Sequence, residues 1–180
     1  MKNYLLLVSL LTLFFSCDNH NKSAEKIKTT RPYHATSPEA SKDSINKNLD
    51  AWHQAAANAD FDSYFGYMAE DAVYIGTDPS ENWQNKDFRN FAKPYFDKGK
   101  AWDFKVLDRN VYVSDVDKFA WFDELLDTQM GVCRGSGVMK KIDGKWKIKH
   151  YVLSVTVPND QLSEVTQLKK NKDSLIIASH

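Results

Sequence analysis

Lys118-Phe119-Ala120-Trp121-Phe122-Asp123-Glu124-Leu125-Leu126-Asp127-Thr128, Val132-Cys133-Arg134-Gly135-Ser136-Gly137-Val138-Met139-Lys140-Lys141-Ile142 and Lys145-Trp146-Lys147-Ile148-Lys149-His150-Tyr151-Val152-Leu153-Ser154-Val155-Thr156-Val157 are long β-rich runs separated by short Gly- or Asp-bearing turns. Trp102 to Ser114 reads as one more. Together they predict a meander of antiparallel strands, with Asp143-Gly144 as its strongest turn. Upstream the period changes. Ile45, Leu49, Trp52, Ala55, Ala56 and Ala59 recur at helical spacing behind a cap at Ser41 or Asp43. A second short helix is expected from Phe61 to Met68 behind Asp60, then a strand over Ala72-Val73-Tyr74-Ile75-Gly76. A third helix is expected from Trp83 to Lys98, bent or broken at Pro94. Beyond the meander, Asn159 or Asp160 caps a last helix with Leu162, Val165 and Leu168 in line. Helices first and a twisted antiparallel sheet afterwards make an α+β fold, in which the sheet wraps the early helices to bury its apolar face.

The 180 residues are close to the size of one ordinary domain. Lys+Arg 24 balances Asp+Glu 24, so there is no basic surplus to neutralise a nucleic-acid backbone, and nucleic acid is not an expected partner. An apolar content of 42% with 13% aromatics supplies a core. Tyr4 to Phe15 is an apolar run of about a dozen residues, the size of a secretory h-region and too short to span a bilayer. It ends in Phe15-Ser16-Cys17, which resembles the lipobox of bacterial lipoproteins, with Phe14 where the usual pattern has Leu. That resemblance implies lipidation of Cys17 and a lipid-anchored place in the bacterial cell envelope, periplasmic or outer-membrane. Residues 1–16 are then a signal peptide and 17–40 a lipidated Cys with a polar flexible tether; 41–158 form the domain and 159–180 a C-terminal helix and tail. With Cys17 acylated, Cys133 has no intrachain partner and reads as a small buried hydrophobe.

Helix, helix, strand, helix and four long strands is also the element order of the cone-shaped superfamily that contains nuclear transport factor 2, ketosteroid isomerase and the SnoaL-like polyketide cyclases. The chain resembles the SnoaL-like branch in Gly76-Thr77-Asp78-Pro79-Ser80-Glu81-Asn82-Trp83, in Ala120-Trp121-Phe122-Asp123-Glu124, in Arg134-Gly135-Ser136-Gly137-Val138, and in Asp143-Gly144-Lys145-Trp146-Lys147-Ile148 with His150-Tyr151. The resemblance covers nearly all of Ser41 to Asn159. It implies a nuclear transport factor 2-like (cystatin-like) cone, with N-terminal helices packed in a curved antiparallel sheet. It implies no one activity, because the fold hosts isomerases, dehydratases, cyclases and binding domains. It also implies an outer sheet face of the kind that makes homodimers.

The last hairpin decides which polar residues meet. A three-residue loop at Ile142-Asp143-Gly144 opposes Val138 to Ile148, Ser136 to His150 and Arg134 to Val152, bringing Arg134, Ser136 and His150 to the core side. A two-residue Asp143-Gly144 turn opposes Gly137 to His150 and sends Arg134 and Ser136 outward. The first is preferred because it pairs apolar with apolar. Of the adjacent carboxylates Asp123 and Glu124 only one can point inward. A carboxylate beside Arg134 and His150 makes an acid–base set, with Glu124 or Asp123 as proton acceptor, His150 as second titrating group and Arg134 holding an anion or enolate. The bland alternative is a structural Glu–Arg pair with His150 bonded in the core. Asp78 and Glu81 read as turn and helix-start chemistry, the functional alternative placing Asp78 and Trp83 at the rim of the cone mouth. Trp52, Tyr64, Tyr74, Trp83 and Trp121, with Arg134 and Ser136, are the candidate lining of a site for a small, partly apolar molecule. No cofactor is expected, and His20, His34, His53, His150 and His180 form no ligand-spaced pair for a metal. Three functional readings follow: a small-molecule-binding envelope lipoprotein, an acid–base lyase or isomerase, and a protein-binding or dimerisation module.

Overall fold

Ser37, rather than Ser41 or Asp43, caps the first helix in the computed structural model, which describes residues 37–180. Its hydroxyl accepts from the Ala40 amide at 3.2 Å, and Pro38 takes the first helical position, where a missing N–H costs nothing. Ser41 is unavailable as a cap because it is buried, donating its hydroxyl to Asp117 Oδ1 at 2.6 Å. Helix α1 (Pro38–Ala57) thus takes in residues assigned above to the tether, and buries Ile45, Leu49, Trp52, His53, Ala55 and Ala56. The signal segment, Cys17 and the rest of the tether lie outside the described residues.

Asp60 caps α2 (Phe61–Gly66), its carboxylate accepting from the Ser63 amide at 3.0 Å. Strand β1 (Met68–Ile75) starts earlier than expected, at the residue read as the end of the second helix. Trp83 likewise does not open a helix. It lies on a short strand, β2 (Asn82–Gln84), paired antiparallel with β1 through Tyr74 and Trp83. Helix α3 (Asn85–Asp97) follows, tied to β1 by Asn85 Nδ2 donating to the Ala69 carbonyl at 2.8 Å. It carries Pro94 inside it and runs on to Asp97 rather than breaking. Then come β3 (Lys105–Val113), β4 (Phe119–Thr128), β5 (Gly131–Ile142) and β6 (Lys145–Val155), a short 3-10 turn, and α4 (Leu162–Ala178).

The six strands form one sheet in the order β2-β1-β6-β5-β4-β3. The meander β3 to β6 is antiparallel as expected, and β1 adds to β6 in parallel. Helices α1 to α3 pack in the curve of the sheet around Trp52, Tyr64, Phe65, Phe88, Phe122, Leu126, Met139, Ile148 and Tyr151. This is the α+β cone of the nuclear transport factor 2-like, cystatin-like class.

The last hairpin departs from the preferred register. Its loop is the two-residue Asp143-Gly144 turn, both residues at positive φ (49° and 78°), which matches the right-handed twist of the strands it joins. Lys141 therefore opposes Trp146 and Met139 opposes Ile148. A β-bulge then inserts Lys149, so Val138, not Gly137, opposes His150. The bulge turns Trp146 and Ile148 inward before it, Tyr151 and Leu153 inward after it, and leaves His150 on the outer face.

Candidate functional site

Ring-bearing residues from α3, from β1 and β2, and from the connection between α3 and β3 line a pocket of about 260 Å³. Its walls include Tyr74, Trp83, Phe88, Phe91, Trp102 and Phe104. These rings brace one another. Tyr74 lies on Phe88 at 3.9 Å between centroids, Trp83 on Phe91 at 4.5 Å, and Phe88 on Trp102 at 5.9 Å. Such contacts hold the rings in place as a rigid apolar wall. A larger hollow, about 760 Å³, lies between α4 and the Thr77–Ser80 turn, but it is lined by no Phe, Tyr or Trp.

Among the described residues that line the pocket, Glu81 is the one with a carboxylate. The turn that carries it is built by Asp78 and Pro79: the Glu81 amide donates to the Asp78 carbonyl at 2.9 Å, and Ser80 N–H donates to Asp78 Oδ1 at 2.9 Å. Hydrogen bonds from Ser80 hold the Asp78 carboxyl below its usual range. The Asp78 amide donates in turn to Glu81 Oε2 at 3.1 Å. Gly76 leaves room for this carboxylate, since a Cβ there would fall 2.2 Å from Glu81 Oε2. Burial, and after it the negative charge of Glu81, pushes the Tyr74 phenol well up.

Beneath the pocket floor sits a buried polar network. Glu124 on β4 is fully buried; its Oε1 accepts from His53 Nε2 at 2.9 Å and from the Tyr151 hydroxyl at 3.0 Å. Its Oε2 accepts from Arg109 Nε at 2.9 Å. Arg109 continues outward, donating from Nη1 to Asp50 Oδ1 at 2.7 Å and to the Asn46 carbonyl at 3.3 Å. Burial pushes the Glu124 carboxyl up, but His53 and Arg109 more than offset this and hold it below its usual range. The Tyr151 hydroxyl is held well above its usual range by burial and then by the charge of Glu124. Phe104 and Tyr74 separate network from pocket: the Phe104 ring is 6.0 Å from His53, and the Tyr74 ring 5.5 Å from Tyr151.

Residues 45–158 match the family model of the SnoaL-like domain. The chain belongs to the SnoaL-like domain family. No curated protein gives a significant match. Among solved structures it is similar to a cystatin-like domain of unknown function from Nostoc punctiforme (15% identity, TM-score 0.59, covering 81% of this chain and 98% of that one). It is also similar to an NTF2-like protein of unknown function from Pseudomonas putida KT2440 (14%, 0.57, 68% and 92%). A third is the association domain of CaMKII from C. elegans (20%, 0.54, 66% and 98%). At these identities the likeness is one of fold.

Within this SnoaL-like domain the residues singled out from sequence fall into three places. Tyr74 and Trp83 line the pocket. Trp52 and Tyr64 stack on each other in the core at 5.1 Å, a layer below the pocket lining. Trp121, Asp123, Arg134, Ser136 and His150 come together on the outer face of the sheet: Trp121 stacks on Tyr112 at 5.8 Å, and Arg134 Nη1 lies 3.7 Å from Asp123 Oδ1. Arg134, Ser136 and His150 therefore do not join Glu124, because the tight turn and the bulge put them on the opposite face. Cys133 is buried, as expected, with Thr128 Oγ1 at 3.5 Å from its sulfur. Among the described residues no His, Cys, Asp and Glu set stands together as a metal site.

His53, Arg109 and Tyr151 went unrecognised as partners of Glu124. His53 carried a signal: it follows Leu49 by four residues on the apolar stripe of α1, where a titratable side chain needs a partner. Arg109 carried little, since it lies on an edge strand of mostly exposed residues and its pairing opposite Glu124 depends on a register shift in β3.

Proposed function

We propose that this SnoaL-like domain binds a small, partly apolar molecule in the aromatic pocket bounded by Tyr74, Trp83, Phe88, Phe91 and Trp102. The observation that carries this is the braced ring lining around about 260 Å³, a little below the roughly 300–1,000 Å³ usual for ligand pockets, which suits a small guest. Rings that already stack on one another lose little freedom when a ligand enters. A thermal-shift screen of a broad ligand library on the full chain, followed by tryptophan fluorescence with the hits, tests the reading. Trp83→Ala is expected to weaken any hit by tenfold or more. A library without one stabilising compound would sink the idea.

The acid–base lyase or isomerase reading has less support. Both oxygens of Glu124 accept hydrogen bonds and the residue does not line the pocket, while Asp123 and His150 lie on the outer face. A homodimer through the outer sheet face has one observation in its favour: Tyr112 and Trp121 stack there while each stays about half exposed (45% and 51%). Sedimentation at several concentrations checks it, and Trp121→Glu is expected to return any dimer to monomer. Anchoring in the bacterial cell envelope through Cys17 rests on the apolar run Tyr4 to Phe15 and the Phe15-Ser16-Cys17 that ends it. Mass spectrometry of the membrane fraction tests it, and a mature N-terminus other than lipidated Cys17 overturns it.

A further inference from the structure

We propose that the pocket selects organic cations, specifically a substituted ammonium whose alkyl or benzyl groups fill the ring-lined walls while its positive nitrogen faces Glu81. The inference deepens the binding reading above and rests on it. Of the fourteen described residues around the pocket, Glu81 alone is charged at neutral pH; there is no Lys, Arg or His among them. A carboxylate or phosphate ligand would find no counter-charge there and would meet Glu81. A neutral apolar ligand would gain from the rings, but nothing in it would answer the carboxylate.

A cation satisfies both features. Faces of Trp, Tyr and Phe carry the negative end of the ring quadrupole and attract a positive charge, most strongly where water is excluded. An alkylated ammonium is weakly hydrated, so entering such a pocket costs it less than it would cost a lysine-like amine. The carboxylate is also held for the purpose. Its Oε2 accepts from the Asp78 amide, its backbone N–H donates to the Asp78 carbonyl to close the turn, and Gly76 keeps the adjoining space clear. Of the cations on α3, Arg89 lies 4.5 Å over the Phe65 ring and Lys93 lies over Phe61, while Lys169 and Lys172 of α4 line the separate hollow beyond the Thr77–Ser80 turn and not the pocket.

The test is a titration of the full chain, followed by tryptophan fluorescence and calorimetry. The probes are benzyltrimethylammonium, choline, the neutral carbon isostere of choline with a tert-butyl head, and pivalate. Choline is expected to bind about tenfold more tightly than its isostere, in keeping with cation–π attraction plus one partly desolvated charge pair, and pivalate weakest of all. Glu81→Gln is expected to erase most of that margin and to leave the isostere unchanged. Gly76→Ala, which pushes the carboxylate aside without removing its charge, is expected to weaken the two ammonium probes as well. Added salt should weaken the ammonium probes more than the isostere. Equal binding of choline and its isostere, unaltered by Glu81→Gln, overturns the cation assignment and leaves the pocket reading standing. Failure of all four probes, together with an empty library screen, overturns both.

Discussion

Asp123 and Glu124 are consecutive carboxylates on one strand, and they have opposite fates. Glu124 faces the core, is fully buried, and has three hydrogen-bond donors on its two oxygens. Asp123 faces outward, half-buried, with Asn110 Nδ2 at 3.3 Å and Arg134 Nη1 at 3.7 Å, beside water that competes for the same groups. A charge taken out of water must be met in full by the protein, so the inner face is over-determined: removing any one partner leaves a charge with no solvent to turn to. The outer face is tolerant, because water replaces whatever is lost. The pocket lies on the determined side of this divide, one ring layer above Glu124, so the network that holds β4, β6 and α1 together also holds the pocket floor in place.

The largest expected effect follows directly. Glu124→Ala leaves Arg109 and His53 buried without their acceptor and is expected to cost about 3–5 kcal/mol, read from urea or thermal unfolding. A loss below about 1 kcal/mol would show that the inner face is as tolerant as the outer one. The same network sets a pH response. Because the folded state holds the Glu124 carboxyl below its ordinary value of 4.5, its contribution is fully present above that pH and is lost as pH falls through the depressed folded value. Stability of the wild type is therefore expected to decline in acid below about pH 4.5, and Glu124→Gln to flatten that part of the decline. An unchanged acid profile in Glu124→Gln would break the assignment.

Next in size is Tyr151→Phe, which removes one charge-assisted donor from Glu124 and keeps the ring that packs on Trp52 at 4.9 Å. A loss of about 1.5–3 kcal/mol is expected. Tyr151 also shows where the sequence could and could not be read. The α+β cone, its helices and its long meander strands were legible, as was the rule that only one of Asp123 and Glu124 faces inward, since each depends only on local period: helical spacing in Ile45, Leu49 and Trp52, and alternation through Ala120, Phe122 and Glu124. Alternation alone does not say which of the two carboxylates is inside, and the short β2 reads as a helix start. The partners of Glu124 were not. One extra residue at Lys149 exchanges the roles of His150 and Tyr151, and no pattern in Lys147-Ile148-Lys149-His150-Tyr151 marks which of them is extra. The pocket was half legible: Tyr74 and Trp83 were recognised as lining and Phe91 sits on the helical stripe of α3, while Trp102 and Glu81 depend on how a loop and a turn fold back, which periodicity does not encode.

The smallest effect sharpens the comparison from the other side. Asp123→Asn keeps the shape of the side chain and removes only its charge, so the long Arg134 contact at 3.7 Å is all that is lost. In water-rich surroundings that pair is worth little, and Arg134 stays solvated after the change. A shift of about 0–0.5 kcal/mol in unfolding free energy is expected, near the limit of measurement, with ligand binding unchanged because Asp123 is on the far side of the sheet from the pocket. A loss comparable to that of Tyr151→Phe would mean that the outer face is covered in the folded state. Sedimentation of the same variant then separates the causes: if a second copy supplies the cover, the loss appears only at concentrations where the wild type associates, and it vanishes on dilution.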